Sequence, residues 1–156
     1  MDVKNKRVVV TGAASGIGKA LCEAFHEADA QSIVAVDMNL EGAQETADSV
    51  NGIAVQANVG NEKDIINVIQ KADEHAGGTD IFCSNAGIGG VPGFFEVEAS
   101  DWQNIWDVNV QSHIFAAKHV LPQMIERGAG YLVNTSSAAG LLTQLGAAGY
   151  SVTKAA

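Results

Sequence analysis

Tyr150 and Lys154 stand four residues apart in Tyr150-Ser151-Val152-Thr153-Lys154, a spacing that puts a phenol and an ammonium on one face of a helix. A phenol is a poor base at neutral pH, because its reference pKa is about 10. A neighbouring cation favours the phenolate and draws the group toward the range useful for proton transfer. Such pairs are common on surfaces, where they do no chemistry. This one gains weight from Ser137, thirteen residues upstream at the end of a β-like run, and from Asn109, inside the helical stretch before that run.

A second constellation lies near the start of the chain. Thr11-Gly12-Ala13-Ala14-Ser15-Gly16-Ile17-Gly18 follows a β-branched run and opens a helical pattern. Gly12 permits a tight turn, Gly16 lets the backbone approach a pyrophosphate, and Gly18 lets helix and strand pack closely. A P-loop fits poorly: it needs four residues between its first Gly and a Gly-Lys pair, whereas five separate Gly12 from Gly18. Ala20 also replaces the hydroxyl that would bind magnesium. Asp37 ends a second strand, 19 residues after Gly18. A carboxylate there can accept both ribose hydroxyls of an adenosine and would repel a 2′-phosphate. Met38 is not basic, and neither Ala14 nor Ser15 offers a positive charge, so NAD is favoured over NADP.

The elements that must position these residues follow from periodicity. Strands are expected over Arg7–Thr11, Ile33–Asp37, near Ile53–Ala57, over Asp80–Ser84 and over Tyr131–Ser136. Helices are expected from Gly16 to about Ala28, with apolar Ile17, Leu21, Ala24 and Phe25, and from Leu40 to about Val50 behind Asn39. Another runs from Glu62 to about His75 behind Asn61, with Ile65, Val68, Ile69 and Ala72 on one face. Ser100-Asp101-Trp102-Gln103 has the form of a capping box opening a long helix to about Arg127, and a last helix begins near Ala148. Apolar strands linked by helices predict an α/β fold, a doubly wound parallel sheet of Rossmann type, covered on both faces. In such a sheet, ligands sit beyond the carboxyl ends of the strands. The loop after Val10, Asp37, and the residues after Ser84 and Val133 all belong there.

Composition narrows the classes. The 156 residues carry 18 acids against nine bases, a net charge of -9, which repels phosphate backbones and argues against nucleic acid as a partner. With 47% hydrophobic and 17% charged residues, the chain is not intrinsically disordered. No signal-like leader and no apolar stretch of spanning length is present, so no membrane is expected as a partner and a cytoplasmic location is expected. Cys22 and Cys83 have no metal or redox spacing and read as reduced and packed. His113 and His119 lie about 240° apart round a helix and cannot share a metal, and no metal site is expected. Trp102 and Trp106 read as core, whereas Leu141, Leu142 and Leu145 fit either a substrate wall or simple packing.

The chain resembles the amino-terminal part of a short-chain dehydrogenase/reductase. The resemblance rests on Thr11–Gly18, Asn85-Ala86-Gly87, Asn109, Ser137, and Tyr150 with Lys154, in the family's order and spacing along the whole chain. It departs at Ser84, where the family usually repeats Asn, and at Asn58, where an Asp commonly accepts from the adenine amino group; an Asn oxygen can still accept that bond. The resemblance implies that Tyr150 is the general acid/base on the substrate oxygen. Lys154 would lower the Tyr150 pKa and bind the nicotinamide ribose, Ser137 would orient the substrate oxygen, and Asn109 would hold a water in a proton relay. The cofactor contacts it implies are Gly12, Ser15, Gly16, Ile17, Gly18, Asp37, Asn58, Val59, Asn85, Ala86, Gly87, Tyr150 and Lys154. The implied function is hydride transfer between a secondary alcohol or ketone and NAD, in a homodimer or homotetramer. A dinucleotide-binding module without chemistry is the alternative; a pure binder would need none of Asn109, Ser137 and Tyr150.

The family's fold continues well past the length of this chain, so residues 1–156 are expected to form one NAD(P)-binding Rossmann domain lacking the family's carboxyl-terminal part, truncated after about five strands. The edge of the fifth strand would then lie open, and the helix of Tyr150 and Lys154 would have only about two turns. The isolated 156-residue chain is therefore expected to be inactive and prone to aggregate; steady NADH production by it with any alcohol overturns that expectation.

Overall fold

The computed structural model describes residues 2–90, 92, 93, 95, 97–142 and 145–156. Alternation of side chains along the strands builds two cores. In β1 (Arg7–Thr11), Val8 and Val10 face one side and Val9 the other, and all three are buried. β2 (Ser32–Asp37) repeats the pattern with Ile33 and Ala35 against Val34 and Val36. β3 (Ile53–Gln56), β4 (Ile81–Ser84) and β5 (Tyr131–Asn134) complete one sheet in the order β3-β2-β1-β4-β5, every neighbouring pair parallel. This is the Rossmann-type arrangement expected from the sequence. The strand order reverses between β1 and β4, which opens a crevice at their carboxyl ends.

On one face, α1 (Gly16–Glu27) and α2 (Leu40–Ser49) cover Val8, Val10, Ile33, Ala35, Ile81 and Cys83, with Cys22 and Ala47 reaching in from the helices. On the other, α3 (Glu62–Ala76) and α5 (Ser112–Arg127) cover Val9, Val34, Val36 and Phe82 with Ile65, Val68, Ala116 and Val120. Each fully buried aliphatic or aromatic side chain contributes roughly 1.5–3 kcal/mol. The central strands are apolar on both sides because both sides are covered. Asn39 and Asn61 cap α2 and α3 as their positions predict, accepting from the N–H groups of Gly42 and Lys63. Cys22 and Cys83 are free and buried, and burial pushes both thiols up to about 12.

Three expectations need correction. The helix expected behind a Ser100 cap begins two residues earlier, at Ala99. Its cap is Glu98, whose N–H donates to Asp101 Oδ2 at 3.0 Å, so the reciprocal pair is shifted by two residues. It is also not continuous: α4 (Ala99–Trp106) passes through a π turn over Asp107–Gln111 before α5. The buried face of α1 is Gly18 and Cys22, with Leu21 and Phe25 packed beside them, while Ile17 is 64% exposed. Finally β5 ends at Asn134, and a 3-10 turn over Ala138–Gly140 leads toward α6 (Ala148–Ala155).

At the opposite end of the sheet from the crevice, Arg7 grips Asp80 with Nε (2.8 Å), Nη2 (2.6 Å) and its backbone N–H (3.0 Å). These bonds hold the Asp80 carboxyl down at about 2. A folded-state value below the unfolded one near 3.9 stabilises the fold above about pH 4, and that contribution fades as pH falls toward 2. Asp80→Asn is expected to cost about 1–2 kcal/mol at neutral pH, and the gap to the parent chain should close on acidification. Urea titrations at several pH values check this.

Candidate active site

Thr11 is the last residue of β1, and its hydroxyl joins two loops. Its Oγ1 donates to the Cys83 carbonyl at 3.2 Å and accepts from the N–H groups of Asn85 (3.0 Å) and Ala86 (3.1 Å). Asn85 returns the link, donating from Nδ2 to the Thr11 carbonyl at 3.0 Å, and its Oδ1 accepts from Thr135 Oγ1 at 3.0 Å. The ends of β1, β4 and β5 are thereby tied together. Sequence reasoning gave no role to Thr11 or Thr135. The available signal was a hydroxyl residue at each of two strand ends facing the crevice.

The glycine loop lies against this tie. Gly12 has φ +71°, and a Cβ there would meet the Ala86 Cα at 2.9 Å, so only glycine allows the approach. A Cβ on Gly18 would lie 1.9 Å from the Gly12 carbonyl oxygen. Its close packing is thus against the loop itself. Gly16, at φ +53°, has open space where its Cβ would be. The first turn of α1 has no side-chain cap at Ser15 and no acidic residue. Its N–H groups therefore face the crevice as ready donors for an anion. Asp37 Oδ2 accepts from the Ala14 N–H at 3.0 Å and Oδ1 from the Asn39 N–H at 3.0 Å.

The other side of the crevice comes from β5 and α6. Lys154 Nζ lies 5.9 Å from the centre of the Tyr150 ring and donates to the Thr135 carbonyl at 3.1 Å. Ser137 caps the 3-10 turn, accepting from the Ala139 N–H at 3.2 Å, and its O–H remains to donate. A cleft of about 590 Å³ brings together Gly12, Ser15, Gly16, Ile17, Gly18, Asp37, Asn85, Ala86, Gly87, Ser137, Tyr150 and Lys154. An adjoining pocket of about 150 Å³ shares Gly12, Asp37, Ala86 and Gly87 and adds Asn58 and Val59. The Asn58 amide oxygen already accepts from the Gly60 N–H at 3.0 Å and keeps one lone pair for another donor.

Asn109 is not among the residues lining the cleft. It is buried in the π turn and clamps two segments: Oδ1 accepts from the Ile88 N–H at 2.9 Å, while Nδ2 donates to the Ile88 carbonyl (2.9 Å) and Thr153 Oγ1 (3.0 Å). Both amide hydrogens are spent on protein. A π turn displaces a carbonyl from the helical ladder, and the buried Ser112 hydroxyl donates to the Val108 carbonyl at 2.7 Å. Among the described residues, no group of three His, Cys, Asp or Glu side chains could hold a metal, and no helix is long and apolar enough to cross a membrane.

The short chain dehydrogenase family model matches residues 6–156. The chain belongs to the short-chain dehydrogenases. An uncharacterized oxidoreductase of Staphylococcus aureus (strain USA300) is 32% identical over 155 residues, covering 97% of this chain and 67% of the relative. Glucose 1-dehydrogenase 2 of Bacillus subtilis (strain 168) is 34% identical over 143 residues, 87% of this chain and 55% of that protein. Among solved structures, a short chain dehydrogenase/reductase from Burkholderia phymatum in complex with NAD superposes with a TM-score of 0.94 at 28% identity, covering 99% of this chain and 57% of that one. This short-chain dehydrogenase thus spans about two thirds of the Staphylococcus relative and a little over half of the solved structure.

Replacing Asn109 with Ala strands the Ile88 N–H and carbonyl and the Thr153 hydroxyl in a buried setting. The expected loss is about 2–4 kcal/mol. Chemical denaturation checks it, and Asn109→Asp, which keeps the acceptor, should lose less at low pH than at neutral pH.

Proposed function

We propose that this short-chain dehydrogenase transfers a hydride between NAD and a secondary alcohol or ketone, with Tyr150 as general acid/base. One observation carries the reading: a single cleft joins an uncapped helix N-terminus behind a glycine loop to a serine, a tyrosine and a lysine from the far end of the chain. The fit to a dinucleotide rests on the cradle itself. A Cβ at Gly12 would collide with backbone, Gly16 leaves its space open, and the first turn of α1 offers donors without a cap. The bound nicotinamide would supply the hydride acceptor or donor. Gly12, Ser15, Gly16, Ile17, Gly18, Asn85, Ala86 and Gly87 would line its path, with Asp37, Asn58 and Val59 at the adenosine end.

The protein's own part is to handle a proton and orient one oxygen. The Ser137 O–H donates to the substrate oxygen and fixes its direction, and the Tyr150 phenol gives or takes the hydroxyl proton at that oxygen. Lys154 keeps a cation beside the phenol while the Thr135 carbonyl holds its amine in place. Asn109 acts by holding the Ile88 loop and Thr153 of α6, which sets where Lys154 stands. No metal is part of this reading. NAD over NADP follows from Asp37 with Met38, Ala14 and Ser15 around it, none of them basic. Ile114, Leu121 and Ile125, exposed along α5, support a homodimer or homotetramer. The free, buried cysteines fit a reducing, cytoplasmic setting.

Because the chain spans part of its relatives' length, activity is read on the full-length gene product. Tyr150→Phe is expected to lower turnover at least 10²-fold while dinucleotide affinity, read by fluorescence titration, stays near that of the parent. Retained turnover sinks the assignment of the base. Asp37→Asn should weaken NAD about tenfold and narrow its advantage over NADP, since it removes a charged acceptor worth about 1.5 kcal/mol or more. An unchanged NAD/NADP ratio overturns that role.

A further inference from the structure

Ser137 and Tyr150 line one cleft, so the segment between them, Ala138 to Gly149, borders whatever is attached to the oxygen that the proposed reaction sets at that point. The segment is pinned at both ends. A Cβ on Gly140 would lie 2.2 Å from the Lys154 carbonyl oxygen, so the 3-10 turn sits directly on α6. At the other end the Gly93 N–H donates to the Gly146 carbonyl at 2.9 Å, and Gly93 pairs with Ala147 in a parallel bridge. The loop after β4 is thereby laid beside the loop after β5. Ile105 of α4 is buried between them: a Cβ on Gly90 would meet its Cδ1 at 2.6 Å, and one on Gly149 its Cγ2 at 3.5 Å.

Between the pinned points the chain turns leucines outward. Leu141, Leu142 and Leu145 are 91%, 72% and 98% exposed, and Phe95, two residues past the bridge, is 93% exposed. The described residues therefore do not use these leucines for packing. Single exposed hydrophobic side chains are ordinary, whereas four on two adjoining loops form a surface with a use. Charge points the same way. No Asp, Glu, Lys, Arg or His occurs from Asn85 to Phe95 or from Asn134 to Gly149. At the chain's 17% share of charged residues, stretches of this combined length would carry about five. Among the described residues lining the cleft, the one cation is Lys154, held by the Thr135 carbonyl, and the one acid is Asp37, which accepts the Ala14 N–H. A carboxylate or phosphate on the substrate would find no counter-ion of its own there. A hydrocarbon would find leucine.

We propose that the substrate carries its alcohol or ketone on an uncharged, mainly hydrocarbon body that lies against Leu141, Leu142 and Leu145. This names the substrate class of the site proposed above and rests on that reading of Ser137 and Tyr150. The division of labour is simple. Ser137 and Tyr150 fix the one polar atom of the substrate, and the leucines beyond them take its apolar surface out of water. Each CH2 so covered strengthens binding roughly fourfold. The contact is the same before and during the chemical step, so it lowers KM and leaves kcat almost untouched.

The test uses the full-length gene product with NAD and the series 2-butanol, 2-hexanol and 2-octanol. kcat/KM should climb about three- to fourfold for each added CH2, mostly through KM. Glucose and 3-hydroxybutanoate, one rich in hydroxyls and the other charged, should fall below 2-octanol. A flat series, a preference for glucose or the hydroxy acid, or turnover of none of these compounds overturns the proposal. Leu141→Asp and Leu145→Asp put a charge where the hydrocarbon would lie, and each should cut the gain per CH2 to below about twofold. A gain that both variants leave at its parental value overturns it as well. If an Asp variant melts early, Leu141→Ser or Leu145→Ser at the same position must flatten the series instead. Tyr150→Phe separates the two readings. Retained turnover there, with the climb along the series intact, sinks the assignment of the base and leaves the leucine wall standing. Lost turnover there, beside a flat series in the parent protein, sinks the wall alone.

Discussion

The hydrogen bonds among Thr11, Asn85 and Thr135 are the constraint on which the site depends. Parallel strands hold one another in register along their length, but past their carboxyl ends the backbone diverges into loops. At the crevice between β1 and β4, divergence is useful because it makes room, and dangerous because it lets the walls drift. The Thr11 hydroxyl takes two N–H groups of the loop after β4, and Asn85 reaches both the Thr11 carbonyl and the Thr135 hydroxyl. Three strand ends are locked with neutral groups. Thr135 in turn offers its carbonyl to Lys154, so the position of the amine is inherited from the sheet rather than from the short helix that carries it.

Most of the scaffold was legible in the residues. Alternating β-branched runs gave five strands, and Asn39 and Asn61 marked two helix starts because an Asn side chain before an apolar-periodic run has one dominant local use. The constellation was legible too, since Gly12, Gly16 and Gly18 at one end and Tyr150 with Lys154 at the other have few alternative reasons to share one chain. What could not be read was set by geometry without a residue signature. The π turn at Asp107–Gln111 inserts one residue into a continuous helical pattern, and nothing in Asp107-Val108-Asn109-Val110-Gln111 announces it. The start of α4 was misplaced because Ser100 has the commoner capping chemistry, while Glu98 and Asp101 make the reciprocal pair in fact. Ile17 was counted on the apolar face of α1 by its type and, through the resemblance, among the cofactor contacts; it is exposed and lines the cleft.

The same π turn connects fold to site. By turning Asn109 inward it gives one amide three partners on two different segments, Ile88 and Thr153. Thr153 also donates to the carbonyls of Gly149 and Tyr150, so the amide is wired into the turn of helix that carries the phenol. A regular helix would have carried residue 109 to a different azimuth.

Asp37 is also a structural acceptor within the glycine loop. Its carboxylate accepts the Ala14 N–H and so braces the middle of the loop between Gly12 and Gly16. Any lineage that exchanges this acid for a smaller or basic residue must also find a new acceptor for residue 14 or let the loop sag. The donor is a backbone N–H, so the bond asks nothing of the side chain at position 14 and everything of the carboxylate at position 37.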